Sequence, residues 1–304
     1  MTLVPSADAR AAAERLDAIF RDAYADVPLT RRHDDGFDEG VWETLVDGGW
    51  HLLGASAGSG GAGFALADLT GIAETYGRWL AGVPLLPTIH VNAWITADGG
   101  APLPMATYRL PGDAGLAPFG DLAGIAVLTG DEVAERSADA RGTAYDGFAY
   151  SLPLAGTGAA GPELTRGRID ELGVLLAASG VGAAESALRQ ACEHAKTRVQ
   201  FGKPIGQYQA IAHLLADMFT YVALARSAVS WAVGNPGTTA RAVGASLKLA
   251  LDAVEGAVHV LGGRGFTWES GVHFYLRHIL QCRKVVQLAG QGALQPAGRH
   301  GESG

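Results

Sequence analysis

The chain is poor in cysteine, in basic charge and in long apolar runs, and each shortage excludes something. Two cysteines, Cys192 and Cys282, occur in 304 residues. They stand far apart with no CxxC partner, so neither a disulfide framework nor a zinc site organises the fold. Charged residues make up 18% of the chain, and acids outnumber bases 31 to 23, for a formal net charge of −8. Nucleic-acid binders need clustered Lys and Arg, so that partner is not expected. No run of about 18 apolar residues is evident, and no membrane span is expected. The opening MTLVPSADARAAAERL lacks the basic start and apolar core of a signal peptide, which points to a cytoplasmic protein.

What the chain does have is apolar bulk and glycine. Hydrophobic residues reach 48%, ample for a sizeable core, and there are 43 glycines. With glycine so common, an isolated glycine motif carries little weight. GSGGAG at 58–63 lacks the Lys-Ser/Thr ending of a phosphate loop and follows no clear strand, so it reads as a turn between helices.

Apolar residues recur at helical spacing over 8–24, 37–48 and 65–80, separated by the polar break VPLTRRHDDG and the turn-rich GGWHLLGASAGSGGAG. Pro84 and Pro87 sit at or after the end of the third segment. The texture changes at 89–165. Short apolar runs there, such as GIAVLTG at 124–130 and FAYSLPLAG at 148–156, read as strands of a small β region. Helical periodicity returns over 168–197, 211–233, 240–261 and 274–288, which argues for a C-terminal four-helix bundle. Ser179, Gly180, Gly182, Ala183 and Ala184 in the first of these predict close approach of another backbone. The expected division is a helical domain over 1–88, a reduced β region over 89–165, a helical bundle over 166–298 and a tail over 299–304.

RVQFGKPIG, from 198 to 206, connects the first two helices of that bundle. Arg198 is a fixed cation, Gln200 both donates and accepts, and Phe201 offers an aromatic face. Gly202 and Gly206 let the chain turn while Pro204 stiffens it. The trio suits a planar, phosphate-bearing ligand. An ordinary inter-helix turn with a capping Arg and a core Phe is the competing reading.

RVQFGKPIGQYQAIAHLLADMFTYVALAR resembles the signature that follows the first long C-terminal helix of acyl-CoA dehydrogenases. VLGGRGFTWESGVHFYLRH, from 260 to 278, looks like that family's second C-terminal signature. LLAASGVGAAESALRQACEHAKTR is similar to the helix leading into the first signature, and 41–88 to the N-terminal helical domain. The resemblance implies a mainly α fold with an N-terminal helical domain, a middle β domain and a C-terminal four-helix bundle. It also implies FAD lying across a subunit interface. Arg198, Gln200 and Phe201 match residues that reach a neighbour's FAD. Gly262 and Gly263 match the glycine pair that lets backbone approach it.

Three departures from that family stand out. The middle region is shortened, and the TEP…GSD-like loop and WITN-like strand that cradle the flavin ring are absent; AWITADGG at 93–100 sits too early to serve. The chemistry removes an α-proton while a hydride leaves the β-carbon, so it needs a carboxylate against the α-carbon. The family's usual Glu falls near Val286, Gln287 and Leu288, none of them acidic. A few members place the base on the helix before the first signature. That position aligns with Leu172, one residue and about 100° of helix away from Glu171. Glu171 is therefore the weak catalytic candidate, against a solvated helix-start carboxylate. Finally, His259 replaces the Gln that usually precedes the double glycine. It is read as structural, or as meeting a pyrophosphate oxygen. Glu269 reads as a structural acid.

Two functions compete. One is a subunit of a heteromeric FAD-dependent acyl-CoA dehydrogenase. It would act with a full-length homologue on an acyl-CoA, including bulky or steroid side-chain thioesters, give half of the flavin site, and lack the catalytic Glu. The other is a homo-oligomer of the same fold with no redox role. It would bind an acyl thioester or catalyse isomerisation, cyclisation or dehydration, with His90, Asp98, Asp121 and Glu171 as candidates by type. A true dehydrogenase with an unrecognised base is a plainer third option.

Overall fold

The computed structural model describes residues 4–110, 116–122, 126–129, 132–135, 144–145, 154–156 and 165–292. Helix α1, Ala7–Tyr24, starts where the Ser6 hydroxyl accepts from the Ala9 N–H at 3.1 Å. Ala9, Leu16, Phe20 and Tyr24 make its buried stripe. Helix α3, Glu39–Asp47, is capped by Asp38, which accepts from the Val41 N–H at 3.0 Å. Helix α4 spans Leu66–Trp79. Its Asp68 accepts from the Ala65 N–H at 3.2 Å and from the Ser6 N–H at 2.7 Å, so one carboxylate ties together the starts of α1 and α4. The glycine-rich stretch at 58–63 is a short turn, with Gly60 at φ 81°, as expected.

Two helices lie where none was expected. Helix α2, Leu29–Asp35, forms inside the polar break and buries only Arg32. Helix α5, Leu85–Ala97, runs through the residue-89 boundary, so the first structural break after it comes near residue 98. Pro84 and Pro87 open this helix rather than end the previous one, since the first turn needs no N–H from them. Tryptophan 94 and its neighbours in AWIT are thus helical. Asn92 fastens α5 from within: its amide donates to the His51 and Leu103 carbonyls at 3.0 and 2.9 Å and accepts from the Leu103 N–H at 2.8 Å.

The described strands of the middle region form two small sheets. Strand β1, Ala106–Tyr108, pairs in parallel with β3, Ala126–Thr129, which pairs antiparallel with β4, Glu132–Glu135. Strand β2, Leu116–Pro118, pairs antiparallel with β6, Leu154–Gly156, whose other edge takes β5, Ala144–Tyr145. Two of the expected runs, at 124–130 and 148–156, thus contain strands β3 and β6. The rest of those runs lies outside the described residues.

The bundle consists of α6, Arg166–Thr197; α7, Gln209–Gly234; α8, Thr239–Leu261; and α9, Val272–Gly292. Helix α6 is its axis and has the length and apolar composition of a membrane-crossing helix, yet 78% of its most apolar window is buried inside the protein. It meets α4 backbone to backbone. A Cβ on Gly182 would lie 1.8 Å from the Glu74 carbonyl oxygen, and one on Gly77 would lie 1.9 Å from that of Ser179. The close approach expected from the small-residue run is therefore made by α4. Ser179 also meets α9: its Oγ lies 2.8 Å from His278 Nε2, and both residues are fully buried. Burial pushes the His278 pKa down to about 3, so this imidazole is neutral at ordinary pH.

A chain of charges binds α1, α4, α6 and α7. Arg226 reaches Glu74 at 2.9 Å and Glu185 at 3.1 Å; Arg78 reaches Glu185 at 3.3 Å and Asp17 at 3.0 Å. Burial pushes the Asp17 carboxyl up, but hydrogen bonds from Trp79 and Arg78 outweigh it and hold Asp17 below its usual range. Burial dominates at Glu74 and leaves its carboxyl above its usual range despite Arg226.

Candidate functional site

The two C-terminal signatures meet at one groove. Helix α6 ends at Thr197, and Arg198 caps it by donating its N–H to the His194 carbonyl at 2.8 Å. The chain then forms a hairpin of β7, Val199–Gln200, and β8, Lys203–Pro204. Its turn is Phe201–Gly202, with φ values of 50° and 83°. Positive φ at both turn positions matches strand twist, and glycine adopts it freely. Phenylalanine does not: the left-handed region costs a non-glycine residue about 1 kcal/mol. The Phe201 ring is also 94% exposed. The Tyr208 hydroxyl fixes the hairpin by donating to the Gln200 carbonyl at 3.0 Å, and Lys203 sits 4.3 Å from the Tyr208 ring centre.

The second signature begins as α8 ends. Gly262, at φ 58°, breaks the helix, and a 3-10 turn runs from Gly262 to Phe266. No atom lies within 4 Å of a Cβ added to Gly262 or Gly263, so their backbone faces open space. A groove of about 480 Å³ is lined by His194, Thr197, Arg198, Leu261, Gly263 and Arg264. Arg198 has no ion-pair partner among the described residues. Burial, then Arg264 and Arg198, lower the His194 pKa, so two guanidinium groups act on one imidazole. Two helix C-termini converge here, and part of this positive charge offsets their dipoles. The remainder, with open glycine backbone, suits a phosphate-bearing ligand.

The groove therefore brings together Arg198 and Gly263, with Gly262 adjoining. Gln200 turns inward on its own strand, its amide donating to the Val199 carbonyl at 2.7 Å, and does not line the groove. Phe201 stands beyond it at the hairpin tip. His259 is exposed in the last turn of α8 rather than on a buried helix, and it too is absent from the lining. His194, Thr197 and Arg264 were missed. His194 lies one helical turn before Arg198 and Arg264 sits between two motif glycines, so spacing alone held the clue.

At the other end of α6, Glu171 is not merely solvated. Its side chain is 48% exposed, accepts from Trp94 Nε1 at 3.3 Å and lies 3.7 Å from His90 Nε2. Leu172 beside it is buried in the core. Asp98 is exposed and pairs with Arg168 at 3.2 Å, and Asp121 is exposed in a turn. Val286 of α9 packs against the apolar core, and no carboxylate replaces it there.

Residues 159–284 match the model of the acyl-CoA dehydrogenase C-terminal domain. Acyl-CoA dehydrogenase IpdE2 of Mycobacterium tuberculosis is 34% identical over 268 residues, covering 80% of this chain and 81% of that one. The chain belongs to the acyl-CoA dehydrogenase family. The ChsE4-ChsE5 complex from Mycobacterium tuberculosis has the same fold, with a TM-score of 0.78 at 21% identity, covering 98% of this chain and all of the matched one. A steroid acyl-CoA dehydrogenase variant, Tcur3481-Tcur3483, gives 0.69 at 23% identity, covering 92% and 95%.

Proposed function

We propose that this chain is one subunit of a heteromeric, FAD-dependent acyl-CoA dehydrogenase, in which it provides one half of a flavin site and a partner provides the base. The carrying observation is the one-sidedness of the Arg198 groove. Its cation, its open glycine backbone and the exposed rings of Phe201 and Phe266 all face outward. The residues fit the pyrophosphate and adenine side of FAD. Arg198 and Arg264 would hold phosphate oxygens, the Gly262–Gly263 backbone admits close approach, and Phe201 offers a stacking face. Bound flavin supplies the hydride acceptor for α,β-dehydrogenation of an acyl-CoA. With no acid at Val286, Gln287 or Leu288, near which the usual Glu is expected, this chain brings no carboxylate to the substrate α-carbon from that stretch of α9. Its part is to bind, orient and exclude water.

A second feature supports association. Helix α7 exposes Phe219, Leu224 and Trp231, large apolar groups on a helix otherwise packed into the bundle. Two structural neighbours are heteromeric pairs, and one of them is described as a steroid enzyme. A bulky or steroid side-chain thioester is accordingly the substrate class proposed for the complex. The test is flavin per chain, read from the visible spectrum of the protein purified alone and after co-expression with a full-length homologue. Stoichiometric flavin in the co-purified complex alone supports the reading. A full complement in the lone chain overturns the shared site, and none in either preparation overturns the redox role.

A further inference from the structure

One side chain of the Arg198 groove has no part in the reading above. His194 sits on the last turn of α6, one turn before Arg198, and its carbonyl accepts the Arg198 N–H at 2.8 Å. It lines the groove between Arg198, from its own helix, and Arg264, from the turn that follows α8. Among the described residues that line the groove, none is acidic. Glu193, next to it in the chain, accepts from Lys196 Nζ at 2.7 Å on the exposed flank of α6. Lys203 of the hairpin rests on the Tyr208 ring, and His259 of α8 stays out of the lining. The ends of α6 and α8 supply roughly half a negative charge each. His194 thus faces two guanidinium groups with partial charges alone to offset them.

We propose that seating a pyrophosphate in the Arg198 groove draws one proton onto His194, so that this chain grips that ligand more tightly as pH falls. The choice of a pyrophosphate rests on the function proposed above. In the open groove burial favours the neutral ring, and Arg264 and Arg198 add to it, so His194 titrates below its usual range. An oxyanion placed among these groups reverses the second effect and favours the charged ring. Imidazolium then offers two N–H donors and a full charge where neutral imidazole offers one donor. Between the two titrations, binding takes up a proton from solvent, and affinity rises as pH falls. A third arginine in this place would bind equally at every pH; a histidine makes the grip conditional.

The probe is ADP-ribose, a pyrophosphate diester whose phosphates keep constant charge near neutral pH and which carries no flavin ring. The full chain, labelled with 15N at histidine, is titrated with it at about pH 6 and about pH 8. Affinity is expected to be about tenfold higher at the lower pH, with the His194 ring nitrogens showing imidazolium in the bound form. His194→Gln assigns those resonances by their loss and should bind weakly and equally at both pH values. His194→Lys, charged throughout, should bind tightly at both, a rescue that a merely structural histidine would not give. Arg198→Ala should weaken binding at both, which ties the signal to this groove. Equal native affinity at the two pH values, pH dependence that survives in His194→Gln, or no saturable binding would each overturn the proposal. Flavin in the co-purified complex is counted separately. No flavin there, with a His194-dependent ADP-ribose titration, would sink the flavin reading and leave this one. Stoichiometric flavin with pH-independent ADP-ribose affinity would do the reverse.

Discussion

The two ends of α6 carry opposite kinds of site. At its C-terminus the Arg198 groove is cationic, with His194, Arg198 and Arg264 beside open glycine backbone. At its N-terminal end a cleft lined by His90 and Glu171 is about as open to solvent but mostly apolar. On the proposed function, the groove with Phe201 held out in solvent in a left-handed conformation is the one that a second molecule completes. One helix thus joins a mostly apolar cleft to a cationic surface groove.

The comparison is broken most severely at the middle of α6. Gly182→Leu drives a side chain into the Glu74 carbonyl, with no flexible neighbour to yield. We expect a loss of at least about 3 kcal/mol and, in thermal melts, the largest drop of any single change considered. Both sites should suffer together. Arg198→Ala breaks only the cationic end. Removing a charge-assisted phosphate contact should weaken flavin retention in the co-purified complex about tenfold, measured as flavin per chain after dialysis, with the melting temperature of the lone chain unchanged.

Phe201→Gly sharpens the contrast because stability and binding should move in opposite directions. Relief of the left-handed conformation should stabilise the hairpin by about 1 kcal/mol, seen as slower amide exchange at 199–204, while flavin content falls. A fall in both would mean that the ring is a structural prop. The smallest effect is expected at Asp17→Asn. The folded-state pKa of Asp17 is depressed, so its contribution is present at neutral pH and is lost as pH falls below about 4. The variant should be less stable at pH 7 by about 1 kcal/mol and should lose less stability than the native chain on acidification. Glu74, raised above its usual range, works in the other direction. Equal pH slopes for Asp17→Asn and the native chain would show that Asp17 is not the group responsible.

Amphipathic helices were legible because each has one buried stripe; the seven expected segments correspond to α1, α3, α4 and α6 to α9. The polar LTRRHDD of α2 has almost no apolar stripe to read. Helix α5 fails for the converse reason. It is buried on nearly every side, so its apolar residues show no 3.6-residue period. The Arg198 groove was partly legible, since both strings that build it stand out by residue type. That Arg198 would lie beside Gly263 rather than beside His259 depends on how α6 and α8 end. The His90–Glu171 pairing was not legible at all: the two residues are 81 positions apart, and only the packing of α5 on α6 brings them together.

The interlock of Gly77 with Ser179 and of Gly182 with Glu74 also sets a schedule for synthesis. Ile72, Ala73 and Tyr76 of α4 lie in the core beside that contact, and their partner on α6 is encoded about a hundred residues later. At 5–20 residues per second a ribosome needs about 5–20 s to supply it. For that interval α4 has α1 to pack on and nothing on its other face. The middle region, short as it is, is the delay line between them, and lengthening it would prolong the time for which the nascent N-terminal layer stands uncovered.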